Sequence, residues 1–185
     1  MSQFQQLDQL MERQDGMLRT GQALAAGISK PVFYQFVQSR GLEQAAHGIY
    51  LSKDAWVDAM YLLHLRCPQA VFSHETALFL HGISDRTPFE HTVTAPSGCI
   101  PSAAIKAECK VYYIKPELFE LGKTMLQTPA GNPVPCYDLE RTICDVIRSR
   151  NKIGTETFLS ALKQYAASPK KDLNRLDEYA RQMRV

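Results

Sequence analysis

Between Thr20 and Gly41 the chain sets two helical stretches around one glycine, and this spacing restricts the possible folds more than any other feature. Thr20 can cap a short helix over 21–26, with Leu24 and Ala25 as its apolar contributors, and Gly27 supplies the turn. Ser29 reads as the N-cap of a longer helix that ends before Gly41. Its first turn holds Pro31, where a missing N–H costs nothing. Phe33, Phe36 and Val37 recur at i, i+3, i+4 and should pack inward, which leaves Lys30, Tyr34, Gln35 and Gln38 on the free face. Upstream, Phe4, Leu7, Leu10 and Met11 form one stripe of a helix over 2–14, stopped by Asp15-Gly16. Downstream, residues 42–51 read as two short strands turning near His47-Gly48. Three helices and a β-wing make a winged helix-turn-helix, expected over residues 1–53.

A helix with amide and hydroxyl groups on its free face can enter a major groove, because glutamine can pair both the N6 donor and the N7 acceptor of adenine. Ser29, Lys30, Tyr34, Gln35 and Gln38 are therefore the expected groove-facing residues. Arg19, Lys30 and Arg40 are expected at phosphates, with the amides behind Ser29 taking another. His47, at the wing tip, is expected at the minor groove or the backbone. Residues 1–53 hold five bases against four acids, which is thin for phosphate binding. A single copy should bind weakly, so a homodimer or cooperative binding on repeated sites is expected.

Residues 54–185 read as a small α+β domain with C-terminal helices. A helix over 54–66, capped by Ser52 and stopped by Cys67-Pro68, carries Trp56, Met60 and Leu63 on one side. Ser73 can cap a second helix that runs to Gly82. Strands are expected over 92–95 and 110–114, with a third over 134–136. Asp138 caps a helix with Leu139, Ile143, Val146 and Ile147 on one face, and Arg141 and Asp145 stand four apart on it. Helices over 155–167 and 172–183 close the chain. Charge is uneven: 54–109 holds three bases against six acids, and 146–185 nine bases against four acids. No stretch has the roughly 20 apolar residues a membrane-spanning helix needs, and the Gln-rich start has no signal-peptide core, so a cytoplasmic protein is expected. The five cysteines form no CxxC pair and read as reduced thiols.

Enzyme chemistry finds little footing. His74-Glu75 opens like the zinc motif HExxH, but Leu78 occupies the second ligand position. His74 and His81 are two helical turns apart, about 10 Å along the axis, too far to share a zinc. On a helix, the neighbours Ser73 and His74 point about 100° apart and make no nucleophile–base pair. No GxSxG, GxxxxGK[ST] or GxGxxG motif occurs. The chain is therefore expected to have no catalytic or metal-ligating residues and no cofactor. Two alternatives stay open: a winged helix that docks on a protein, and a magnesium-dependent nuclease built from Glu75, Asp85 and Asp145.

Taken in order, several of these segments resemble the AbiEi family of antitoxins from abortive-infection, type IV toxin-antitoxin systems. They are Gly27-Ile28-Ser29, Phe33-Tyr34-Gln35-Phe36-Val37, Gly48-Ile49-Tyr50, Phe72 to Leu78 with His81-Gly82, Thr92-Val93-Thr94-Ala95-Pro96, and Glu140-Arg141-Thr142 with Asp145. The resemblance spans about residues 17–150. It implies a transcriptional repressor without enzymatic activity, whose winged helix binds inverted repeats in its own promoter. It further implies a C-terminal domain that counters a nucleotidyltransferase toxin encoded alongside, with or without direct contact. Ser73, His74, Thr76, His81, Arg141 and Asp145 mark that second domain, as organisers of its fold. The chain departs from the family where Arg or Lys is common on the recognition helix and wing: it has Gln35, Gln38 and His47 there.

Overall fold

A computed structural model describes residues 2–84 and 86–185. The chain is a mixed α+β protein with two separate sheets, and it divides into two compact units, Met1–Asp58 and Ala59–Val185. The division falls five residues later than the boundary read from the sequence. Among the described residues no helix is long and apolar enough to cross a membrane.

In the first unit, α1 (Gln3–Glu12) begins with a capping box in which Ser2 and Gln5 satisfy each other's backbone amides. Strand β1 (Met17–Arg19) leads into α2 (Thr20–Ala25), then α3 (Lys30–Arg40), β2 (Glu43–Ala46) and β3 (Ile49–Leu51). The sheet order is β1-β3-β2, all antiparallel. Arg19, not Thr20, is the N-cap of α2 and gives no side-chain bond. Thr20 is instead the first helical residue, and its amide donates to Gly48 O at 2.9 Å. Leu7, Leu18, Ile28, Phe33, Phe36 and Tyr50 form the core, and Phe4 meets the Phe36 ring edge-on at 5.3 Å, locking α1 to α3. Gly41, in the left-handed region at φ +62, ends α3.

The expected helix over 54–66 is shorter: α4 runs only Ala59–Arg66. Residues 52–56 fold back on the turn after α1 instead, with Ser52 N donating to Gly16 O at 2.9 Å and Trp56 N to Asp15 O at 3.2 Å. Ser52 therefore caps no helix, and Trp56 is exposed while Met60 and Leu63 are buried as expected.

The second unit continues with β4 (Val71–Phe72), α5 (His74–Leu80), β5 (His91–Pro96), α6 (Ala103–Glu108), β6 (Cys109–Ile114), α7 (Pro116–Phe119), β7 (Lys123–Gln127) and β8 (Pro133–Tyr137). Then come α8 (Leu139–Arg148), a 3-10 turn at Arg150–Lys152, α9 (Thr155–Ala167) and α10 (Leu173–Met183). The five-stranded sheet has the order β6-β5-β4-β8-β7. Strands β5 and β6 are parallel, from His91↔Cys109 to Pro96↔Ile114, so the chain must cross over between them, and α6 lies on that crossover. The two prolines of β8 precede its one bridge to β4, Phe72↔Cys136, and neither has to donate to it.

Helix α8 is the axis of this unit, because Leu139 through Val146 are all buried. Ile143 and Val146 pack with Leu78, Ala161 and Tyr165, which seats α9, and Cys144 packs with Tyr137 and Met183, which seats α10. Tyr165 and Tyr179 also donate to Glu140 at 3.3 Å and Asp138 at 3.0 Å. Cys67, Cys109, Cys136 and Cys144 are buried and Cys99 half-buried, all as free thiols.

Gly122 joins α7 to β7 at φ +72, and a Cβ there would come within 2.6 Å of Arg141 Cβ. Gly131 has a similar φ of +84 but open space around it. Gly122→Ala should therefore destabilise the protein by about 2–3 kcal/mol, since strain and a clash combine, and Gly131→Ala by only about 1 kcal/mol. Urea unfolding midpoints of the two variants check this; equal losses would contradict it.

Candidate functional site

Helix α3 is held by one face and free on the other. Phe33 and Phe36 are fully buried, whereas Lys30, Tyr34, Gln35 and Gln38 are exposed. Tyr50 of β3 lies edge-on to Phe33 at 5.4 Å and to Tyr34 at 6.4 Å, so the β2–β3 hairpin is pinned alongside the helix. His47 is exposed at the hairpin tip, before Gly48 at φ +70. Ser29 stands at the N-cap of α3 in extended backbone, but its hydroxyl makes no capping bond. The amides of Lys30 and Val32 thus have no intrahelical acceptor, and Pro31 contributes none.

The expected phosphate contacts differ from one another. Arg40 is tied to Asp8 of α1 by an ion pair at 2.6 Å and lies 5.6 Å over the Phe36 ring, so part of its charge is already neutralised. Arg19 is half-buried, and its Nε has no hydrogen-bond partner among the described residues. Lys30 is fully open.

The second group of singled-out residues does converge, although not as the sequence reading supposed. Ser73 is at the N-cap of α5 but makes no capping bond. Its hydroxyl accepts from Thr94 Oγ1 at 2.8 Å and contacts His74 Nδ1 at 2.9 Å. Ser73 is extended and His74 sits in the left-handed region at φ +48, so the 100° separation of helical neighbours does not apply to them. His74 Nε2 meets Ser149 Oγ at 3.0 Å, and its ring stacks on Tyr112 at 3.6 Å. Thr76 and Thr92 bond reciprocally, each backbone amide to the other's hydroxyl, at 3.0 and 2.8 Å. His81 is separate from this group; its Nε2 bonds Tyr137 O at 2.8 Å.

Arg141 and Asp145, four apart on α8, pair through Nε at 3.2 Å, and both are buried. Arg141 Nη1 also donates to Leu118 O and Leu121 O, each at 2.7 Å. Of the three carboxylates considered for a nuclease, Asp145 is bound to Arg141, Glu75 is half-buried on α5, and Asp85 lies outside the described residues. Among the described residues no group of three His, Cys, Asp or Glu side chains could hold a metal ion. Lys110, Tyr112 and Ser149, which complete the surroundings of His74, had no local sign in the sequence. Only the alternation of Thr92 and Thr94, which places both on one face of β5, pointed toward Ser73.

No family model matches the chain, and no curated protein does. Among solved structures, the chain is similar to the crystal structure of the RV2827C protein from Mycobacterium tuberculosis, with a TM-score of 0.63 at 14% identity. The match covers 95% of this chain and 69% of that one. At this identity the likeness establishes a shared fold.

Burial, reinforced by the charges of Lys110, Arg141 and Lys152, pushes the His74 imidazole down to about 3 from 6.5. The unfolded chain takes up this proton first, so stability is full above pH 6.5 and is lost as pH falls toward about 3. Burial pushes Asp145 the other way, up to about 6 against the pull of Arg141, so its share of stability grows as pH falls from about 6 to 4. Between about pH 6 and 4.5 the two contributions largely offset each other, so removing His74 should leave the slope of Asp145 alone, with stability rising relative to the parent chain as pH falls. His74→Asn tests this, because asparagine tolerates the left-handed backbone. Urea midpoints that fall equally with acid in both proteins would contradict it.

Proposed function

We propose that the first unit is a winged helix-turn-helix that binds DNA, and that the chain is the antitoxin and autorepressor of a type IV toxin-antitoxin operon. The observation that carries the DNA reading is the two-sidedness of α3. Phe33, Phe36 and Val37 are buried in the core, and its open face offers Gln35, Gln38, Tyr34 and Lys30 beside backbone amides that have no intrahelical acceptor. Such a face matches the donors and acceptors of base edges, and the amides with Lys30 suit a phosphate. The hairpin carrying His47 flanks the helix as a wing would. The antitoxin part rests on the resemblance of the ordered segments from Gly27 to Asp145 to the AbiEi family. It brings the operator, an inverted repeat upstream of the gene, and a nucleotidyltransferase toxin as the functional partner.

Charge favours a second reading. With Arg40 already paired to Asp8, the first unit has little cationic surface to spare, and a protein partner would need less. The two readings part on salt: DNA binding should weaken steeply as salt rises, whereas docking on a protein gives no shift of promoter DNA at any salt.

On the first reading, Gln35→Ala with Gln38→Ala should weaken binding to DNA from upstream of the gene by about 2–4 kcal/mol, the loss of two base contacts, and barely change binding to random DNA. Fluorescence anisotropy on both duplexes measures this. Equal losses on both would remove the base-reading role, and no binding to either would remove the repressor reading.

A further inference from the structure

A cleft of about 470 Å3 opens between β6 and the C-terminal end of α8 in the second unit, with the His74–Tyr112 stack in its wall. That volume is in the range of small-molecule sites. Three cations reach it: Lys110, Arg148 and Lys152. Among the described residues none of the three forms an ion pair at close range, although Glu75 and Glu90 lie within electrostatic reach of Lys110. The one carboxylate in the wall, Asp145, is bound by the buried Arg141 and lies within electrostatic reach of Arg148. Lys110 is positioned rather than loose, since its Nζ donates to Lys152 O at 2.9 Å and lies 5.2 Å over the Tyr112 ring. Ser149 and Asn151 add neutral polar groups.

Arg148 also lines an adjoining cleft of about 360 Å3 with Lys115, Arg184 and the single carboxylate Glu117, so cations outnumber acids past the end of α8 as well. Arg148, Lys152 and Arg184 of the basic C-terminal stretch gather here with Lys110 and Lys115. The neighbouring Arg175 and Arg181 are, by contrast, matched by Asp172 and Asp177. A further sign of a shaped site is His74 itself, a buried non-glycine residue in the left-handed region, where strain persists only if the surroundings enforce it. An excess of positive charge around a polar cleft is the chemistry that recognises an anion with more than one negative charge.

We propose that this cleft binds a polyphosphate-bearing small molecule, with Lys110, Arg148 and Lys152 on the phosphates and Ser149 and Asn151 donating at its edge. The site belongs to the second unit and is independent of DNA binding by the first. Burial is the main reason the His74 imidazole stays neutral, and bound anion would offset the smaller contribution of Lys110 and Lys152, so the imidazole would titrate higher in the complex, with Arg141 unchanged behind it.

The test is isothermal titration calorimetry of the full chain with inorganic pyrophosphate and with adenosine triphosphate, in the absence of metal, and with citrate as a trianion lacking phosphate. Saturable one-to-one binding of either phosphate probe is expected, at least tenfold tighter than citrate. Pyrophosphate alone would define an inorganic ligand, and tighter binding of the nucleotide an organic one. Lys152→Glu and Arg148→Gln, both at exposed positions, should each weaken it at least tenfold with unchanged urea midpoints. NMR titration of the His74 ring should move upward with ligand. No saturable binding at millimolar probe, citrate binding as tightly, or indifference to both substitutions would overturn the proposal.

Discussion

The second unit is organised around a charge placed where water cannot reach it. Arg141 has no exposed surface, and burying a guanidinium is costly unless partners offset the loss of water. Asp145 one turn on meets Nε, the carbonyls of Leu118 and Leu121 meet Nη1, and the Tyr137 ring lies 4.2 Å away, while Nη2 has no hydrogen-bond partner among the described residues. These partners come from α8 itself, from the loop around α7, and from β8. Meeting Nη1 of this one side chain therefore fixes where the chain between β6 and β7 must run, and Gly122 is needed because that loop passes against Arg141. With α8 set in this way, its other faces receive α9 and α10.

Local periodicity accounts for what could be read from the sequence. The stripes on α1, α3 and α8 each depend on residues three and four apart, and those helices form over nearly the expected spans. Strand β4 has only two residues and β7 alternates without a strongly apolar face, so neither stood out. Helices α6 and α7 are too short to establish a period. The start of α4 was misplaced because hydrogen bonds to Asp15 and Gly16, some forty residues away, hold residues 52–56 out of the helix.

The candidate sites divide in the same way. On α3 the inside and the outside follow from one amphipathic pattern, so the exposed set Lys30, Tyr34, Gln35 and Gln38 was available from spacing alone. His74 was visible as a residue, but not its setting. Ser149 is 75 residues away in sequence, Tyr112 approaches from another strand, and the left-handed backbone that lets Ser73 and His74 meet violates the helical geometry assumed for neighbours. The buried state of the Arg141–Asp145 pair was hidden for a similar reason: four-residue spacing shows that two charges can meet, and only the tertiary packing shows whether water is there too.

Whether the open face of α3 is the surface that meets DNA is answered most directly by mapping backbone amides of the isotope-labelled full chain by NMR as a duplex from upstream of its gene is added. The account predicts perturbations concentrated on residues 29–38 and on the hairpin around His47, fading as salt is raised. Perturbations confined to the second unit, or none in the first at low salt, would contradict it.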